Sequence, residues 1–156
     1  MRILFVCTGN TCRSAMAEAI ARRLAPEQGL NDLDISSAGT AAWEGAPASD
    51  GALLVSLEND IDLSSHQARL LTRDLLDRSD LILAMGPHHL ERIEALGARG
   101  KTHLLTSFSS RGTTDRPIGD PFGGELSLYR ETFDELEREI RRAFARLAAE
   151  RTPGLS

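Results

Sequence analysis

The sequence predicts an α/β protein, a three-layer sandwich in which a four-stranded parallel sheet carries helices on both faces. Three observations lead there. Short apolar runs alternate with segments of helical periodicity along the 156 residues. One run, Leu81-Ile82-Leu83-Ala84-Met85, is apolar throughout, the mark of a strand buried on both faces. Strands separated by helices join through right-handed crossovers, which make the sheet parallel and place helices over it. No repeat, low-complexity tract or linker divides the chain, so residues 1–156 read as one domain, long enough for a core.

The first strand is Ile3 to Val6. A helix from about Arg13 to Ala25 follows, with Met16, Ala19, Ile20, Arg23 and Leu24 at helical spacing and Pro26 and Gly29 to end it. Asp34 to Gly39 is the second strand, followed by a loop holding Trp43, Gly45 and Pro47. Ser49 to Glu58 reads as a helix with Ala52, Leu53 and Leu57 on one face, and Ile61 to His66 as extended. Thr72 caps a short helix, Asp74 to Arg78. After the Leu81–Met85 strand, Gly86-Pro87 opens a helix from about His88 to Leu96. Thr102 to Thr106 is the fourth strand. Ser107 to Gly124 is a loop rich in Gly, Pro, Ser, Thr and Asp, and loops of that length are often functional. Within it, Asp115 and Arg116 read as solvated charges. The clearest helix comes last, about Glu125 to Arg151. Leu126, Tyr129, Phe133, Leu136, Ile140, Phe144 and Leu147 form its apolar stripe, and its opposite face is charged and solvated.

Composition narrows the function classes. Hydrophobic residues make up 41% and charged residues 26%, as in ordinary globular proteins. The net charge of −5 argues against nucleic acid or an anionic membrane as partner. No run is long enough to span a bilayer, and the apolar stretch Ile3 to Cys7 is too short for a signal peptide, so a cytoplasmic location is expected. Two cysteines do not make a disulfide framework. No Cys/His cluster completes a zinc site, so neither metal nor cofactor is expected.

The chemistry concentrates in Cys7-Thr8-Gly9-Asn10-Thr11-Cys12-Arg13-Ser14, between the first strand and the first helix. Backbone N–H groups converge in such a loop, and the helix N-terminus carries about half a positive charge, so the loop can cradle an oxyanion. A lone cysteine is usually a small buried hydrophobe. Helix N-termini and neighbouring cations favour the thiolate instead, which makes Cys7 a candidate nucleophile. Arg13 opposes the helix dipole from the first turn, an unfavourable place unless it grips an anion, and a guanidinium holds two phosphate oxygens at once. Gly9 lets the backbone approach closely, and Asn10 tolerates the left-handed conformation a tight cradle needs.

A C-x5-R spacing alone is weak, but the whole string in this position resembles the signature of low-molecular-weight protein phosphatases. The resemblance runs over nearly the whole chain. It includes Ser36-Ser37-Ala38-Gly39, Trp43, Ser65-His66-Gln67-Ala68-Arg69 and Asp120-Pro121-Phe122-Gly123-Gly124. It implies that family's fold and a phosphocysteine intermediate on Cys7, clamped by Arg13. Asp120, otherwise a turn residue, becomes the general acid and then the base. Thr8, Gly9, Asn10, Thr11, Cys12 and Ser14 bind phosphate or substrate, Trp43 and Phe122 flank the pocket, and Ser37 and His66 support the loop. Cys12, by the same resemblance, is either filler or a disulfide partner that protects Cys7 from over-oxidation.

The substrates implied are phosphorylated proteins. Tyrosine-directed relatives carry an apolar residue at the Thr11 position and paired aromatics after Asp-Pro. Here Thr11 is polar and Phe122 is the lone aromatic before Gly123-Gly124, a pattern similar to bacterial protein arginine phosphatases. Eukaryotic tyrosine-specific members have an acidic residue just after the Met, where this chain has Gly86. Ala15 stands where many bacterial relatives have Pro. The expected function is therefore hydrolysis of phosphoarginine in proteins, with phosphotyrosine the alternative. A thiol-linked arsenate reductase would need cysteines after Cys12, and there are none. A cysteine phosphocarrier domain would not need both Arg13 and Asp120.

Overall fold

The computed structural model describes residues 1–151; the last five residues of the predicted domain lie outside the described residues. The elements follow in order as β1 (Arg2–Cys7), α1 (Arg13–Glu27), β2 (Asp34–Gly39), α2 (Asp50–Glu58) and α3 (Arg73–Arg78). Then come β3 (Leu81–Ala84), α4 (Pro87–Ala95), β4 (Thr102–Leu104), α5 (Leu105–Ser109) and α6 (Leu126–Arg151). The four strands pair in parallel in the order β2-β1-β3-β4.

Strand alternation sorts the core into two layers. Ile3, Phe5 and Cys7 of β1, Leu81 and Leu83 of β3, and Met85 just after it point to one side. There they meet Met16, Ile20 and Leu24 of α1 and Phe133, Ile140 and Phe144 of α6. Leu4 and Val6, with Ile82 and Ala84, point to the other side and meet Leu76 of α3 and Ile93 of α4. Fully burying a side chain such as Phe133 or Phe144 contributes roughly 1.5–3 kcal/mol, and both are sealed from solvent. From β1 the chain steps one way to β2, then back across to β3 and β4. The carboxyl ends of β1 and β3 therefore border the crevice where strand order reverses, the place where open parallel sheets bind ligands.

Several boundaries differ from the sequence reading. Helix α1 runs through Pro26 to Glu27 and ends before Gly29, whose φ is +74°. Proline in the last turn removes one N–H without stopping the helix. Arg23 lies outside the apolar face; its guanidinium reaches Glu137 of α6 at 3.4 Å. On α2 the buried residues are Ala52, Val55 and Ser56, and Leu57 is 64% exposed. Residues 61–66 form no strand; Ser64 and Ser65 make a turn, with Ile61 and Leu63 buried beside it. The fourth strand stops at Leu104, and Leu105 starts a five-residue helix with Leu105, Thr106, Phe108 and Ser109 buried. A helix that short, buried on most of its surface, carries no amphipathic period to read. The buried side of α6 also takes in a charge, because Glu139, beside Thr132, Leu136 and Ala143, is 1% exposed.

Candidate active site

Cys7 ends β1, and Arg13 begins α1, whose first turn has no side-chain cap. The loop between them wraps a pocket of about 170 Å³ lined by Cys7, Thr8, Gly9, Thr11, Cys12, Arg13, Asp120 and Phe122. Its carbonyls are held outward. Cys7 O accepts from Thr40 N at 2.9 Å, Thr8 O from Ala41 N at 2.9 Å, and Thr11 O from Ser49 N at 3.0 Å. Cys12 O accepts from Met16 N at 2.9 Å, and His66 Nε2 lies 2.7 Å from Asn10 O. A trans peptide whose carbonyl points out turns its N–H the other way, so amide hydrogens face the pocket, as an anion requires. The end of β2 supports this geometry from below. A Cβ at Gly39 would lie 2.4 Å from Thr8 O and 2.9 Å from Asn10 N, so the loop backbone rests directly on the bare glycine.

Asn10 is the internal brace. It is wholly buried and adopts φ +56°, the left-handed conformation. Its Oδ1 accepts from Arg69 N at 2.9 Å, which fixes the amide orientation. Its Nδ2 therefore donates both hydrogens, to Ser14 Oγ at 2.8 Å and to Ser37 Oγ at 2.9 Å. Ser37 passes its own hydrogen to Glu18 Oε1 at 2.9 Å. Ser14 Oγ accepts from Asn10 and lies 2.8 Å from Cys7 Sγ. When Cys7 is a thiolate it has no hydrogen to give, and the Ser14 hydroxyl hydrogen then donates to the sulfur. The network thus places a hydrogen-bond donor beside Cys7 that a nucleophilic thiolate can use.

Arg13 is 4% exposed. Its Nη1 donates to Ile118 O at 3.2 Å, and its Nη2 lies 3.4 Å from Asp120 Oδ2. Asp120 is half-exposed and caps its own turn by accepting from Phe122 N at 3.1 Å. One buried cation thus links the loop that holds the thiol to the loop that holds the carboxylate.

The predicted residues Cys7, Thr8, Gly9, Thr11, Cys12, Arg13, Asp120 and Phe122 converge on one pocket, and Asn10, Ser14, Ser37 and His66 stand behind it. Trp43 does not join them. It is 84% exposed and lies outside the pocket lining. The small Ala42 takes the inward place at that turn, against Gly39, and turns the next side chain out. Both cysteines are free thiols, and Cys12 Sγ sits 3.1 Å from Ser49 Oγ and 3.5 Å from Tyr129 Oη. Arg116, read as a solvated charge, has a side chain 42% exposed and is also paired with Glu135 at 2.6 Å and Glu139 at 2.8 Å.

Sequence reasoning missed His89. It is wholly buried at the start of α4, with Nε2 2.8 Å from Thr8 Oγ1. Burial above all, then the neighbouring His88 and Arg13, pushes its pKa down to about 3, against a smaller opposing pull from Asp120. It is a neutral imidazole at ordinary pH. The signal was available, because His89 follows the carboxyl end of β3, where ligand-facing residues of a parallel sheet gather.

Comparison with known proteins gives the family and the fold. The family model described as low molecular weight phosphotyrosine protein phosphatase matches residues 2–152. The chain is 41% identical over 151 residues to a protein-arginine-phosphatase of Geobacillus stearothermophilus, covering 96% of this chain and 97% of the relative. It is 37% identical over 137 residues to the low molecular weight protein-tyrosine-phosphatase PtpB of Staphylococcus haemolyticus, covering 87% and 92%. Among solved structures it is similar to a mutant YwlE arginine phosphatase with a phosphorylated active-site serine. That match has a TM-score of 0.90, 35% identity and full coverage of both chains.

Proposed function

The chain belongs to the low molecular weight phosphotyrosine protein phosphatase family, and on that premise we propose that it hydrolyses phosphoarginine in proteins through a phosphocysteine intermediate. The observation that carries the reading is the single pocket that gathers Cys7, Arg13, Asp120 and the polar Thr11. The phosphoryl group sits among the loop amides with its oxygens toward Arg13. Cys7 Sγ attacks phosphorus as the bond to the guanidine nitrogen breaks. Asp120 gives its proton to that nitrogen, so arginine leaves as a guanidinium and the carboxylate is left beside it. A water then attacks the phosphocysteine, Asp120 takes its proton, and inorganic phosphate departs with the thiolate restored. Arg13 and the inward amides hold the transferring group's charge throughout.

Thr11 sets the substrate class. A β-branched hydroxyl at the pocket wall suits the wet, planar phosphoguanidine, whereas an apolar side chain would suit an aryl ring. Phosphotyrosine is the second reading, and Phe122 favours it, since this ring lines the pocket and is 72% exposed. Partners are phosphorylated proteins, and a cytoplasmic location fits a chain in which no helix among the described residues is long and apolar enough to cross a membrane. The test is a competition between a phosphoarginine protein and a phosphotyrosine peptide. Wild type should prefer phosphoarginine, and Thr11→Ile should erode or reverse that preference. Wild-type turnover mainly of phosphotyrosine would overturn the substrate assignment.

A further inference from the structure

We propose that Arg116 is the positioning residue for the general acid, acting as a latch that ties the Asp120 loop to α6. The proposal rests on the reading of Asp120 given above. From Gly112 to Gly124 the chain has no helix or strand to hold it. A carboxylate that must meet one leaving atom cannot be left to such a segment unless side chains fix it. The fixing groups cluster at residues 116 and 118. Arg116 O accepts from Thr106 Oγ1 at 2.5 Å, Ile118 N donates to Met85 O at 2.8 Å, and Ile118 O receives Arg13 Nη1. The side chain of Arg116 then makes the longest reach. Its Nη1 donates to Glu135 Oε2 at 2.6 Å and its Nη2 to Glu139 Oε1 at 2.8 Å, so one guanidinium spans two successive turns of α6.

Glu139 shows that this contact is built rather than incidental. Its side chain is 2% exposed, in a row with the buried Thr132, Leu136 and Ala143 at the edge of the packed side of α6. Buried charge is retained only where it is paired and hydrogen-bonded. Its Oε2 accepts from Ser109 Oγ of α5, while Oε1 takes Arg116 and, at 3.4 Å, Arg142. The latch therefore joins α5, α6 and the catalytic loop at the buried Glu139 carboxylate, with the Arg116 side chain 42% exposed above it. Asp120 lies four residues beyond Arg116 and two beyond Ile118, and its carboxylate meets Arg13 and the N–H of Phe122. Release of Arg116 frees the approach of Asp120 while leaving the phosphate cradle intact.

A displaced acid leaves a distinctive kinetic mark. Good leaving groups depart without a proton, so only poor ones suffer. The experiment measures kcat/KM across substituted phenyl phosphates of increasing leaving-group pKa. It compares wild type, Arg116→Met, Arg116→Lys, Glu139→Gln and Asp120→Asn, each checked by thermal unfolding. Arg116→Met should lose about tenfold or more on phenyl phosphate, part of the ~10²–10⁴ that a general acid supplies, and change little on the most activated ester. Its dependence on leaving-group pKa should approach that of Asp120→Asn. Arg116→Lys, able to meet one carboxylate, should fall between Arg116→Met and wild type. Arg116→Met added to Asp120→Asn should cost little more. A folded Arg116→Met with the wild-type leaving-group dependence overturns the latch while Asp120 keeps its role. If Asp120→Asn itself shows the wild-type dependence, the general-acid reading fails, and the latch fails with it. Should Arg116→Met not fold, the same comparison stands on Glu139→Gln and Arg116→Lys.

Discussion

Asn10→Ala tests whether the brace behind the loop governs the nucleophile. The substitution removes two hydrogen bonds donated to Ser14 and Ser37 and one accepted from Arg69 N, all in a fully buried site. At about 1 kcal/mol net for each bond the loss is roughly 3 kcal/mol. Alanine at φ +56° adds roughly 1–2 kcal/mol that asparagine largely avoids. The sum of about 4–5 kcal/mol stays within the stability of most domains, roughly 5–15 kcal/mol, so the variant should fold with a lower midpoint. Catalysis should fall for a separate reason. Without Asn10, Ser14 can turn its hydrogen away from Cys7, and a charge-assisted bond worth roughly 1.5–3 kcal/mol to the thiolate corresponds to about 10–100-fold in rate. Asn10→Gly separates the two effects. It relieves the backbone strain but restores none of the bonds, so it should be more stable than Asn10→Ala and equally slow. The assay pairs chemical denaturation with kcat on a phosphoarginine protein. Wild-type kcat in folded Asn10→Gly would refute the claim that this network directs Cys7.

The other expectations follow from the same geometry. His89 has a folded pKa near 3, below its unfolded value of about 6.5. Its contribution is present above the unfolded value and is lost as pH falls toward the folded one. Between pH 7 and pH 5 the loss is about 2 kcal/mol, so wild type should lose about that much more stability over this range than His89→Gln, as read by denaturation at each pH. Equal losses would show that His89 charges in the folded state. Gly39→Ala should destabilise by roughly 1–3 kcal/mol through its collision with the backbone at Thr8 and Asn10, and its activity should fall further than its stability. Wild-type kcat in that variant would mean the loop does not depend on this close approach. Trp43→Ala should leave the unfolding free energy within about 0.5 kcal/mol of wild type, because the ring is almost wholly exposed. A larger loss would place the ring in a contact.

Much of the architecture was legible because local signals agreed with the global fold. The apolar run at Leu81 needed burial on both faces, and the stripe from Tyr129 to Leu147 needed a core to face. The loop from Cys7 to Ser14 was legible because a strand end, a glycine, a left-handed asparagine and a helix start occur in one short string. The misses share a cause: tertiary neighbours decided them. Leu105 to Ser109 is too short and too buried to show a period. Leu57 has the right spacing, but α2 turns a different face to the core. Trp43 gave up the inward place to Ala42. Arg116 acts through residues far away in sequence, Glu135 and Glu139, so no local pattern marks it. The contact of His89 with Thr8 is distant too, although its place after β3 was a cue.

The central claim is that phosphate passes from the substrate to residue 7. The most direct measurement incubates Cys7→Ser with a phosphoarginine protein and locates phosphate by peptide mapping. A serine hydroxyl in the same cradle forms a phosphate ester that is slow to hydrolyse, so the phosphoryl group should accumulate on residue 7 while turnover falls far below wild type. The related structure with a phosphorylated active-site serine makes this the expected fate. Turnover at the wild-type rate with no phosphate on residue 7 would contradict the account.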